Sequence, residues 1–251
     1  MNIFCLLLII AIDLILGVSS SAAYTKQIRL VSYENPPCSG KDLKDQGAMT
    51  AIIKEAYIRK GYQVKIDFKD LQMATVMAKQ GKYDGIFPFW YKKRRKEWGQ
   101  FSTALPNNEL GFFYLKKNQF EYNEIKDLID LTVGYVKSYY VPAKVRNFSG
   151  AKFKVAESYG QNMKWLIKGD IDVAIGDRWI GMYTIQESFP GMEMMISWSG
   201  ATIHTRKQFI LFSKGSKKLK SVSTDFNESF KEMVADGSLE KILVGFGFDQ
   251  N

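Results

Sequence analysis

The sequence predicts an α/β protein made of two units with a ligand cleft between them. Three observations carry this. Strand-like and helix-like segments alternate along the chain from residue 27 onward. The alternation runs as two series, separated by an extended stretch without helical periodicity. The 251 residues, 46% hydrophobic and 24% charged, are enough for two lobes with separate cores.

The elements follow in order. "QIRLVS" (27–32) reads as a strand. In "GAMTAIIKEAYIRKG" the residues Ala48, Ile52, Ala56 and Met49, Ile53, Tyr57 share one helical face, with Gly61 as the stop. "QVKIDF" (63–68) alternates like a half-buried strand, "LQMATVMAKQG" reads as a helix closed by Gly81, and "DGIFPF" (84–89) as a third strand. A β-α-β-α-β order implies crossover connections and a mostly parallel sheet. A strand is expected near 110–116 after the pause. The second series comprises strands at 131–136, 152–156 and 171–176. Its helices follow Pro142, Ser158 (an N-cap, with Gly169 as stop) and Asp177. A strand at 206–213 returns the chain, and a long and a short helix end it.

The N-terminus has an apolar run from Ile3 to Val18 followed by Ser21-Ala22-Ala23, the small-x-small pattern of a signal-peptidase site. A signal peptide over 1–23 and export from the cytoplasm are expected. The alternative is a retained anchor, but Asp13 is costly in lipid and the run is short for spanning. Cys38 is then the single mature cysteine, so no internal disulfide is expected. One histidine, His204, and one mature cysteine leave no metal constellation, and no cofactor is expected. The net charge of +9 favours anionic partners.

Ligands of such folds sit at the carboxyl ends of strands, where helix N-termini direct their free N–H groups inward. That places the weight on Tyr33–Pro37, Trp90–Arg95, Lys137–Tyr140 and Asp177–Trp179. The five basic residues Lys92 to Lys96 read mainly as a solvated helix face rather than a nucleic-acid patch, since a single basic run is a common false positive. Trp98, Phe101, Phe112, Phe113 and Trp165 sit where core packing is the default.

Several motifs resemble the family 3 extracellular solute-binding proteins, the periplasmic amino-acid-binding type. "YENPPCSG" is similar to the family's first loop, and "GKYDG" to its Gly-Lys-x-Asp segment. Arg95 stands six residues before "FS" (101–102), "IKDLIDLTVGYV" and "GDIDVAIGD" follow the family's second-lobe strands, and "DGSLEKILVGFG" its C-terminal segment. The resemblance spans about residues 27–247. It implies a two-lobed periplasmic-binding-protein-like (type II) fold, with one lobe over 24–115 and 206–251, and the other over 116–205. It implies that Arg95 clamps a ligand carboxylate and Asp177 takes an α-ammonium. A guanidinium makes two parallel charge-assisted bonds to a carboxylate, which suits the first role.

The sequence departs from the family at two places. Lys92 replaces the Thr expected three residues before the Arg, and Ser138 and Tyr139 replace a Gly-Thr. With Tyr33, Trp90, Tyr91 and Tyr139, these suit a larger, more acidic or ring-containing solute. The expected function, which the resemblance implies, is capture of a small anionic or zwitterionic solute, an amino acid or related carboxylate, by hinged lobe closure. The expected partner is that solute, with a membrane permease or receptor beside it, no nucleic acid, and a monomeric state. The alternatives are a dehydratase-like enzyme, with Glu34 or Glu109 as its acid/base group, and a sensing module for a membrane partner.

Overall fold

The structure, a computed structural model, describes residues 26–248; the expected signal segment lies outside the described residues. The first series holds β1 (Lys26–Ser32), α1 (Ala48–Ile58), β2 (Tyr62–Phe68), α2 (Leu71–Lys79) and β3 (Gly85–Trp90). Then come β4 (Gly99–Phe101) and β5 (Leu105–Leu115). The second series holds β6 (Thr132–Val136), α3 (Ala143–Arg146), β7 (Lys152–Ala156), α4 (Tyr159–Lys168), β8 (Val173–Asp177), α5 (Arg178–Ser188) and β9 (Ile196–Trp198). The chain returns through β10 (His204–Ser213) and ends in α6 (Leu219–Ala235) and α7 (Ser238–Gly245).

The strand order is β2-β1-β3-β10-β5-β8-β6-β7, with β4 on β10 and β9 on β5. The expected parallel pairing holds within each series: β1 with β2 and β3, and β6 with β7 and β8. Its centre is antiparallel, because β5 and β10 run between the two series and pair with each other. These are the two crossing strands. β5 begins earlier than the sequence suggests, at Leu105, since pairing with β10 holds "LPNNE" extended despite its turn-forming residues.

The helices form for the reasons the sequence offers. The face of α1 formed by Ala48, Met49, Ile52, Ile53, Ala56 and Tyr57 is fully buried. Each large apolar side chain there contributes roughly 1.5–3 kcal/mol by leaving water. Ser158 caps α4 by accepting from the Gln161 N–H, and Gly169 ends it at φ 78°, a conformation that costs glycine nothing. The close approach of α5 to β5 depends on Gly181, where a Cβ would collide with the Phe113 ring.

Each series has its own core. One cluster joins Ile28, Leu30, Ile52, Phe87 and Phe212 with Phe226 and Met233 of α6, and a second lies behind β3 around Val31, Ile86 and Leu211. On the other side, Phe112, Val133 and Ile175 form one cluster and Phe113, Met163, Leu166 and Ile185 another. Phe112 and Phe113, expected in the core, are fully buried on opposite faces of β5, as strand alternation requires. Trp179 is the exception, reaching from the start of α5 into the first core to stack on Phe248 at 4.4 Å.

Candidate functional site

Strand β3 ends at Trp90, and the chain turns back within a few residues to form β4. The basic run therefore occupies a single 3₁₀ turn, Lys93–Glu97, rather than a helix face. The tight turn brings Arg95 back over its own strand. Its guanidinium lies 3.5 Å from the centroid of the Phe89 ring, and Nη1 donates to the Trp90 carbonyl oxygen. Burial pushes the Arg95 pKa down to about 10; Tyr33 opposes that shift, and Arg94 and Arg206 reinforce it. Tyr33 itself donates its hydroxyl to the Pro88 carbonyl oxygen at 2.7 Å. Burial raises its phenol pKa.

Trp90 begins a polar chain through the centre of the molecule. Its indole Nε1 donates to Asn108 Oδ1 at 2.8 Å, and Asn108 Nδ2 donates to Asp177 Oδ2 at 2.9 Å. The Tyr139 hydroxyl donates to the same Asp177 oxygen at 3.2 Å. The other oxygen, Oδ1, accepts the N–H groups of Trp179 and Ile180 and so caps α5. Asp177 is fully buried. Burial lifts its carboxyl to about 6, against the pull of these four hydrogen bonds. Both carboxylate oxygens are thus occupied by protein donors. This bears on the ammonium role that the resemblance implies: an ammonium group would have to displace Asn108 or Tyr139.

Arg206, which the sequence reading passed over as part of a strand, lies 3.9 Å from the centroid of the Trp90 indole and 5.2 Å from that of Tyr140. Tyr139 meets Trp90 edge-on at 6.3 Å, and His204 faces Tyr140 at 4.7 Å. Burial and Arg206 depress the His204 imidazole. Lys92 is exposed, and its ammonium is depressed first by Arg95, then by burial, Arg94 and Arg206. Among the described residues, none of Lys92, Arg95 and Arg206 has a carboxylate within ion-pair distance.

The structure thus gathers Tyr33, Trp90, Lys92, Arg95, Tyr139 and Asp177 from the sequence-derived candidates. It leaves two aside. Tyr91 packs outward on Phe101 at 5.1 Å with Lys96 over its ring, because the residue after Trp90 points to the other side of an extended chain. Ser138 is exposed on the turn after β6. Two residues were missed, Arg206 and Asn108. They stand opposite each other on β10 and β5, and a strand reading does not say which face is functional.

The enzyme candidates lie elsewhere. Glu34 is exposed and accepts from the Lys41 N–H, closing its own loop. Glu109 pairs with Arg178 at 3.8 Å. Strand alternation puts Glu109 on the face of β5 opposite Asn108. A cavity of about 920 Å³ opens on that opposite face, lined by Asn107, Glu109, Arg178, Met182 and Trp198. Around Trp90, Asn108, Tyr139 and Arg206 the void is only about 10 Å³. These side chains are therefore packed against one another, and a solute could be held only above them or after they shift. Size alone does not make the larger cavity the site. Its charges at Glu109 and Arg178 neutralise one another, whereas those at the floor do not.

The sequence profile of the bacterial extracellular solute-binding proteins, family 3, matches residues 28–248. The chain belongs to that family. Among solved structures, this family 3 solute-binding protein is similar to the second substrate-binding domain of a putative amino acid ABC transporter from Streptococcus pneumoniae. The TM-score is 0.73 and the identity 19%, covering 87% of this chain and 99% of that one. It is also similar to substrate-binding domain 2 of GlnP from Lactococcus lactis in an open conformation. There the TM-score is 0.72 and the identity 18%, over 88% and 95% of the two chains. An arginine-bound amino acid ABC transporter substrate-binding protein from Streptococcus pneumoniae gives a TM-score of 0.59 at 14% identity, over 88% and 94%. No curated protein matches the chain. At these identities the structural likeness establishes the fold, which is the two-lobed type II arrangement expected from the sequence.

Proposed function

We propose that this family 3 protein captures a small carboxylate-bearing solute, an amino acid or a related acid, above the Trp90 floor, with Arg95 as the anchor. The observation that carries this is a half-buried guanidinium without a carboxylate partner among the described residues. Such a group is stable only where rings and carbonyls support it, and it gains most from an incoming anion. The solved relatives named for amino acid transport favour the same ligand class.

The lobes of this reading are residues 24–115 with 206–251, and residues 116–205, hinged at β5 and β10. Closure of one lobe on the other would cover a solute held on the Trp90–Tyr139 floor. The protein is exported through the segment 1–23 and works outside the cytoplasm as a monomer, delivering the solute to a membrane permease or receptor. It performs no chemistry on the solute: Glu34 and Glu109 are engaged away from Arg95.

A thermal-shift screen of amino acids, carboxylates and neutral sugars tests this. A true ligand at 100 times its dissociation constant stabilises the fold by about 2.7 kcal/mol. Carboxylates should raise the melting temperature. If only neutral sugars raise it, the proposal is wrong.

A further inference from the structure

The charge arrangement says more about the solute than that it carries a carboxylate. Three cations converge on Trp90 from two strands. Lys92 and Arg95 follow β3, and Arg206 belongs to β10. The two guanidinium groups use the tryptophan differently. Arg95 holds its carbonyl oxygen while covering the Phe89 ring, and Arg206 lies against the indole. A guanidinium supported on a ring keeps in-plane N–H groups for a side-on carboxylate. Gln208 stands opposite Trp90 in the register, so Arg206 is displaced by two residues along β10, roughly 7 Å. The two guanidinium groups are thus anchored at different parts of Trp90, Arg95 on its main-chain carbonyl oxygen and Arg206 on its indole ring.

The charge balance is one-sided. Lys92 and Arg95 are each electrostatically opposed by Arg206. No acidic side chain lies within ion-pair distance of any of the three among the described residues. The carboxylate that bonds the floor residues, Asp177, is buried, its oxygens held by Asn108, Tyr139 and the start of α5. A single carboxylate would leave two of the three cations without a counter-charge, and an ammonium on the solute would meet a positively charged surface. Unrelieved like charges at a cleft mark a binding site built for a counter-charge.

We propose that the solute is a dianion, with one carboxylate on Arg95 and the second on Arg206, and that an α-ammonium group is dispensable. This deepens the carboxylate reading of the site and rests on it. Arg206 is then the residue that sets specificity for the second acidic group.

Calorimetry on the full chain distinguishes the two. The probes are glutarate and L-glutamate, each with two carboxylates, against butyrate and L-glutamine, each with one. The wild type should bind the first pair about 10–100-fold more tightly than the second. Arg206→Gln should weaken glutarate at least about tenfold more than it weakens butyrate, and Arg206→Lys should keep part of the preference. Arg95→Gln should weaken all four probes. A circular-dichroism melt of each variant separates lost binding from lost folding. If Arg206→Gln does not fold, Arg206→Lys carries the test, and a preference for two carboxylates undiminished in it would overturn the proposal. Equal affinity for one and two carboxylates in the wild type, or a preference that survives Arg206→Gln, overturns the proposal while the carboxylate reading stands. Binding of neutral sugars alone overturns both.

Discussion

Two basic regions of this chain behave in opposite ways. At the end of α1, Arg59 and Lys60 are surrounded by acids. Arg59 meets Glu55 at 2.8 Å and Asp236, while Lys60 reaches Glu232 at 2.9 Å and Glu228 at 3.6 Å. Hydrogen bonds to those acids raise the pKa of both. At the Trp90 floor, Arg95 and Lys92 are both depressed, Arg95 chiefly by burial and Lys92 chiefly by Arg95. The first region shows positive charge used to tie a helix to its neighbours. The second shows positive charge left unneutralised, on aromatic supports, where two strands cross. Composition cannot tell them apart, because both are short runs of Arg and Lys; the partners do.

Arg95→Gln should weaken carboxylate binding by about 2–4 kcal/mol, the scale for removing one member of a desolvated charge pair. Arg59→Gln should leave the same affinity within about 0.5 kcal/mol, as its charge is already matched and distant. Titration calorimetry of the two variants side by side decides it. Equal losses would mean that the unpaired arginine is not special.

A pH series sharpens the contrast, because the buried anion closest to the floor does not serve the cations. The Asp177 carboxyl is raised to about 6 by burial. A carboxyl raised in the folded state contributes stability below its unfolded pKa of about 4, and that contribution is lost as pH rises through about 6. Relative to Asp177→Asn, the wild type should therefore lose on the order of 2–3 kcal/mol between pH 4 and 7. Denaturant melts at the two pH values measure it. A change in the other direction would mean that Asp177 is paired with a cation after all.

The smallest effect concerns the lysines. Lys60→Gln should cost about 0.2–1 kcal/mol of stability, the value of partly exposed ion pairs. Lys92→Gln should cost nothing or stabilise slightly, since it removes a charge opposed by Arg95, Arg94 and Arg206. Urea midpoints of the two variants are enough to compare them.

How much of this could be read from the sequence depended on how local the signal was. The buried face of α1 and the Ser158–Gly169 boundaries of α4 were legible, because helical period, cap and stop all lie within one segment. The three-residue strands β4 and β9 were not, since they exist only through pairing with β10 and β5. The start of β5 was hidden for the same reason: Pro106, Asn107 and Asn108 read as a turn until β10 pairs with them. Within the candidate site, Arg95 was singled out by its place after a strand together with its spacing from "FS" (101–102), which carries the family resemblance. Tyr91 was wrongly grouped with Trp90, because adjacent residues of an extended chain point apart and position alone does not say which points in. Arg206 and Asn108 carried no local signal at all. They meet Trp90 only through the register that sets them opposite each other on β10 and β5.

The most direct test is a crystal structure of the chain with glutarate. A carboxylate is expected on the Arg95 guanidinium at about 2.7–2.9 Å, above the Trp90 ring, with Asp177 still bound to Asn108. Glutarate in the cavity beside Glu109 and Arg178, with Arg95 untouched on the Trp90 carbonyl oxygen, would contradict it.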